Sequence, residues 1–192
     1  FLKNINVSGI ATVGSAVTIS ESGIEASGIG ITVANINGGQ IGGRRNLIIN
    51  GDMRLAQRGT TITAASGYLI DRFRLSSGNT DENPTYAQVD VASGTTPFTA
   101  GFRKALKITN GNQTGGAGAG DRIIINYFIE AQDIANSGWN YTDPNSFITL
   151  SFYVKSSVAQ TFYVRLESKD GTRSSYPLST GSLTADTWTK VT

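Results

Sequence analysis

The 192-residue chain contains no cysteine and no histidine. Their absence excludes a Ser–His–Asp triad, a Cys–His pair and every thiolate or imidazole metal site. It excludes disulfides as well, so stability has to come from packing or assembly, and cysteine usage is silent on redox compartment. Catalysis is left with carboxylates, lysine and hydroxyls, and the expectation is a binding or structural protein rather than an enzyme, with no cofactor. An excess of charge is also missing. Sixteen basic against 14 acidic side chains give a formal net charge of +2, without the clustered basic surface that nucleic acid requires. No apolar run reaches the length of a membrane span, and no charged-then-apolar signal segment opens the chain, so no membrane insertion is expected. Proline is scarce, 4 residues against 23 glycines. With abundant Thr, Ser, Ile and Val, this is the profile of an all-β chain with tight turns.

Residues 1–43 and 44–192 differ in kind. The first stretch has three charged residues, Lys3, Glu21 and Glu25, and no aromatic beyond Phe1. Branched apolar residues run through it, among them Ile10, Val13, Val17, Ile19, Ile24, Ile29, Ile31 and Val33, in short period-2 patches separated by glycines. The tripeptide SGI recurs at 8–10, 22–24 and 27–29. Such spacing predicts short strands and turns in loose repetition. A segment this thin buries too little surface to offset its chain entropy, and its strand edges are left open. Identical chains wrapped together would cover the apolar stripe, which makes those eight residues candidates for oligomerisation. A flexible Gly/Ser linker is the alternative, although a linker has no need of regularly placed isoleucine. GGQIGG (38–43), followed by Arg44 and Arg45, is the expected hinge.

From 46 onward aromatics and charges return. FITLSFYVKS alternates Ile148, Leu150, Phe152 and Val154 with Thr149, Ser151, Tyr153 and Lys155, and TFYVRLES alternates Phe162, Val164 and Leu166 with Tyr163, Arg165 and Glu167. Both predict half-buried strands, and the five residues 156–160 predict a hairpin between them. Further strands are expected at 68–75, 85–91, 105–109, 123–128 and 188–192, with a helical turn at 130–136. Many strands punctuated by turn signals predict a β-sandwich or jelly roll.

NLIINGDMRLAQRGT (46–60) and GYLIDRF (67–73) resemble the opening of jelly-roll domains in bacteriophage tail fibres, and of carbohydrate-binding modules more broadly. Met53 stands where those domains usually carry an aromatic. ITLSFYVKSS (148–157) and GSLTADTWTKVT (181–192) are similar to their central and late strands, and SGIATVGSAVTISESGIEASGI (8–29) resembles fibre repeats of cyanobacterial and marine phages. The resemblance implies a virion protein at the host surface, with an intertwined trimeric β stalk and a glycan-binding-like jelly-roll head; the alternatives are a non-binding structural connector or capsid-attached fibre, or an accessory carbohydrate-binding module of a polysaccharide-degrading enzyme. It implies host surface polysaccharide and other tail or baseplate proteins as partners. Family heads continue past the strand at Trp188, so the chain, which begins at Phe1 and stops at Thr192, is expected to be a fragment truncated within its sandwich.

Glycan recognition needs flat aromatic faces and fixed polar groups. Two places qualify. SGWNYTDPN (137–145) carries Trp139, Asn140 and Tyr141 in a polar loop, where binding competes with a tryptophan folded back to plug the sandwich end. In the expected hairpin, Tyr153 would lie opposite Tyr163 with Arg165 nearby, forming an exposed platform or an ordinary cross-strand pair. Trp188 is expected to pack. GGAGAGD (115–121) precedes strand-like IIINYF, which favours a hairpin loop over a phosphate cradle. Glu130 and Asp133 have helical spacing, but solvated charges are the default reading. Asp52, Asp71 and Asp186 are possible contributors to a structural calcium site, yet no dense acidic loop supports one. Arg44, Arg45, Arg54 and Arg58 form a basic cluster, for which solvation or structural pairing is expected over ligand binding.

Overall fold

The structure, a computed structural model, describes residues 46–140, 142–168 and 171–192, together with the backbone of five short strands in the first 43 residues. The chain divides into two compact units, Phe1–Gly43 and Arg44–Thr192. The first contains β1 (Ala11–Val13), β2 (Val17–Ser20) and β3 (Gly23–Ala26) in one antiparallel sheet, then β4 (Asn35–Ile36) paired with β5 (Gly39–Gln40). Register aligns Ala11, Ile19 and Ile24 in one cross-strand row and Val13, Val17 and Ala26 in another, with Thr12, Thr18 and Glu25 between them. The period-2 spacing of the sequence thus becomes alternating apolar and polar rows. Ile10, Ile29, Ile31 and Val33 lie outside the described residues, as do Arg44, Arg45 and Tyr141.

The second unit is built from β6 (Thr61–Thr63), β7 (Ser66–Tyr68), β8 (Phe73–Gly78), β9 (Thr85–Asp90), α1 (Thr96–Thr99), β10 (Lys104–Thr109), β11 (Arg122–Tyr127), α2 (Ala131–Ser137), β12 (Phe152–Val154), β13 (Thr161–Ser168), β14 (Ser174–Ser182) and β15 (Thr189–Val191). It is all-β in small antiparallel sheets, ordered β10-β9-β6, β11-β8-β7, β12-β15 and β13-β14. The core draws on both three-stranded sheets. Leu69, Ile70, Phe73, Leu75 and Tyr86 are buried in one cluster, and Ile62, Leu106 and Ile108 from one sheet pack against it together with Ile123 and Tyr127 from the other. Ile48, Met53 and Ala56 close it from the preceding loop. Met53 therefore supplies apolar volume to the core. Among the described residues no helix is long and apolar enough to cross a membrane.

Three expectations need correction. Residues 68–75 are not one strand: β7 ends at Tyr68 and β8 starts at Phe73. Leu69 and Ile70 are both buried, which strict alternation forbids, and Arg72 turns the chain with φ +76°. Strands β12 and β13 do not form a hairpin; β12 pairs with β15 and β13 with β14. Of the apolar series that begins at Ile148, only the part from Phe152 is strand. Finally, the loop at 115–121 joins β10 and β11, which lie in different sheets, so it is a crossover rather than a hairpin loop. Its turn is closed by the Asp121 carboxylate accepting from the Gly118 amide at 2.7 Å.

Candidate functional site

The two sequence blocks 46–60 and 67–73 meet around the side chain of Asn50. Asn50 takes φ +60°, a left-handed conformation that asparagine tolerates better than most residues. Its Nδ2 donates to the carbonyls of Leu55 and Asp71, each at 3.0 Å, and its Oδ1 accepts from the Leu55 amide at 2.9 Å. The Asp71 amide adds a bond to the Leu55 carbonyl at 3.0 Å. One short side chain thereby stitches two loops that the sequence separates, and both loops line a single groove.

The groove has a volume of about 470 Å³ and is lined by Leu55, Gln57, Arg58, Tyr68, Asp71, Arg72, Phe128 and Glu130. Its charges are matched. Arg58 donates to the Asp71 carboxylate at 2.8 Å, which also accepts from the Gln57 amide at 3.2 Å. Arg72 donates to Glu130 at 2.7 Å and lies 3.6 Å from Asp133. The hydrogen bond from Arg72, its positive charge and a hydrogen bond from Gln132 together hold the Glu130 carboxyl below its ordinary value. Tyr68 and Phe128 border the groove at 42% and 45% exposure, so neither ring is used up by the core. Arg58 sits 5.9 Å from the Tyr68 ring centroid.

What this arrangement offers is a set of planar donor forks and carboxylate acceptors, already oriented by one another, between two apolar rings. Vicinal hydroxyls present donor and acceptor at once and match such groups, while aromatic faces suit the apolar face of a pyranose. Because two arginines face two carboxylates along the lining, the groove favours an uncharged ligand over an ionic one.

The structure does not bring the sequence-predicted candidates together. Tyr153 is opposite Lys190, and Tyr163 opposite Ser179. Arg165 faces Pro177. The platform of Tyr153, Tyr163 and Arg165 is therefore not formed, because its premise was a β12–β13 hairpin. Tyr163 is 76% exposed on its own ribbon, whereas Tyr153 packs edge-on against Phe102 at 5.6 Å. Trp139 is half-buried, and its indole N–H donates to the Ser146 carbonyl at 3.1 Å. Asn140 remains exposed, with its Oδ1 accepting from the Thr142 amide and hydroxyl. The loop tryptophan thus spends its polar atom inside its own loop.

Other candidates change meaning. Glu130 and Asp133 are gripped by Arg72 rather than simply solvated, and Asp133 is buried. Asp52 pairs with Arg54 at 2.7 Å, and Asp71 with Arg58. Among the described residues no three acidic side chains gather as a metal site. Sequence reasoning treated Arg58, Asp71 and Glu130 separately and passed over Tyr68, Arg72 and Phe128. The available signal was the quoted pair of blocks, whose residues turn out to face one another. Comparison with protein-family models, with curated proteins and with solved structures finds no match.

Proposed function

We propose that the chain belongs to a phage tail fibre, in which residues 44–192 form a jelly-roll head that binds a neutral glycan on the host surface. Its work is binding rather than chemistry. The observation that carries this reading is the groove between Tyr68 and Phe128, where two arginine–carboxylate pairs stand ready for sugar hydroxyls. The same groove is assembled from 46–60 and 67–73, the blocks that resemble phage fibre heads and carbohydrate-binding modules.

Assembly fits the same reading. The ribbon of β13 and β14 leaves Phe162, Leu166, Tyr176 and Leu178 between 37% and 66% exposed, and grouped exposed apolar residues are characteristic of contact surfaces. A trimeric stalk at 1–43 would gather three heads, and effective concentration then raises avidity far above that of one weak site. Other tail or baseplate proteins would hold the fibre on the virion.

The test is binding of the purified chain to polysaccharide extracted from candidate hosts, followed by Arg72→Ala and Tyr68→Ala. Both variants are expected to weaken binding about tenfold, equivalent to roughly 1.4 kcal/mol. Unchanged affinity in both would remove the groove from the proposal. Light scattering addresses assembly separately, and a stable monomer would sink the trimer.

A further inference from the structure

A second cluster of aromatic and basic side chains lies on the small β12–β15 sheet, none of whose residues lines the groove. Register sets Tyr153 opposite Lys190 and Val154 opposite Thr189, which makes Lys155 and Trp188 the next cross-strand neighbours. Alternation puts Tyr153, Lys155, Trp188 and Lys190 on one face. The Lys155 ammonium sits 5.5 Å from the Trp188 ring centroid, and Phe102 extends the strip by meeting Tyr153 at 66°. Tyr153 and Trp188 are half-buried and both lysines exposed.

The charge balance here is opposite to that of the groove. Lys155 and Lys190 have no ion pair among the described residues, whereas Arg54, Arg58, Arg72, Lys104 and Arg173 each have at least one. The Asp186 amide donates to the Ser156 carbonyl at 2.7 Å, and among the described residues its carboxylate forms no ion pair with either lysine. Diagonal cross-strand positions lie on the order of 7–8 Å apart, so the two ammonium groups can address neighbouring anionic units of one chain.

We infer that the face formed by Tyr153, Lys155, Trp188 and Lys190 is a second saccharide site, selective for acidic sugars such as uronates. Lys155, seated over the Trp188 ring, and Lys190 each take a carboxylate, with Tyr153, neighbour of both, bordering the sugar. Nucleic acid is the less fitting polyanion, since two lysines do not supply the run of phosphate contacts from which its affinity is built. The site is independent of the neutral-glycan groove.

Calorimetric titration of the whole chain with a linear polyuronate, alginate, tests it. Lys155→Gln/Lys190→Gln is expected to lower affinity roughly tenfold, while added salt weakens the unsubstituted chain and barely affects the variant. Both positions are exposed, so the variant should fold; matching circular dichroism checks that. Arg72→Ala should leave alginate binding intact, and the double lysine variant should leave binding of host neutral polysaccharide intact, so failure of either site is seen separately. The inference is overturned if the unsubstituted chain does not bind alginate, if the lysine variant binds it equally well, or if single-stranded DNA binds as tightly.

Discussion

The side-chain amide of Asn50 donates to the carbonyl of Asp71 at 3.0 Å, across 21 positions of sequence. Through that bond and its two contacts with Leu55, Asn50 fixes the spacing of the loops that carry Arg58, Asp71 and Arg72. Asn50→Ala removes all three hydrogen bonds and leaves a residue with a Cβ at φ +60°. At about 1 kcal/mol net per hydrogen bond, part of it recovered from water, a loss of roughly 2 kcal/mol in urea unfolding is expected. Asn50→Gly relieves the backbone but restores no hydrogen bond, so it should remain clearly less stable than the parent. Full stability in the glycine variant would show that the amide clamp is unimportant.

Arg72, which lines the groove, is also held in a left-handed conformation, with φ +76°. Positive φ in a long side chain costs on the order of 1–2 kcal/mol, offset here by contacts to Glu130, Asp133 and the Tyr127 ring. A guanidinium reaches several partners at once; a lysine ammonium is a single compact charge. Arg72→Lys should therefore keep the fold and the net charge but weaken neutral-glycan binding several-fold. Glycan affinity equal to that of the parent would show that the planar fork is not used.

Much of the secondary structure is legible because strand alternation is local. The pattern Phe162, Val164, Leu166 is enough to predict β13, and Thr85–Asp90, Lys104–Thr109 and Arg122–Tyr127 lie close to their expected limits. Pairing is less legible, because a short spacer permits a hairpin without requiring one. The true partner of β13 is β14, whose Pro177 and Gly181 obscure any strand signal; proline is tolerated there because, among the described residues, β14 has no second neighbour. The groove was hidden for a related reason. Arg58, Tyr68, Arg72, Phe128 and Glu130 come from separate segments, and no spacing within one segment announces that they converge.

Glu130 makes the groove sensitive to acid in a defined direction. Its folded pKa lies below the ordinary value because Arg72 hydrogen-bonds the ionised form. The unfolded chain then takes up a proton more readily than the folded one, so acid favours unfolding. The contribution is fully present above the ordinary glutamate range and is lost as pH falls below it toward the lowered folded value. Thermal melts of the parent and of Glu130→Gln should therefore differ most near neutral pH and converge in acid. A difference that stays constant across the range would mean that Arg72 does not hold the carboxylate.

Tyr86 is fully buried at 0% exposure in the central strand of its sheet, paired with Ile108 on one side and Ile62 on the other. Among the described residues its hydroxyl has no hydrogen-bond partner of good geometry, and burial pushes the phenol pKa up. The Ser77 hydroxyl offsets part of that shift, but it donates to the Ala65 carbonyl rather than to the phenol. An unpaired buried hydroxyl costs about 1–3 kcal/mol, while the ring itself fills the core. Tyr86→Phe keeps the ring and removes the unsatisfied atom, so it should leave the melting temperature unchanged or raise it. Tyr86→Ala instead opens a cavity and should cost roughly 3–5 kcal/mol. The sign of the phenylalanine variant decides the matter, because a drop of more than about 1 kcal/mol would mean that the hydroxyl is satisfied by a partner worth one good hydrogen bond.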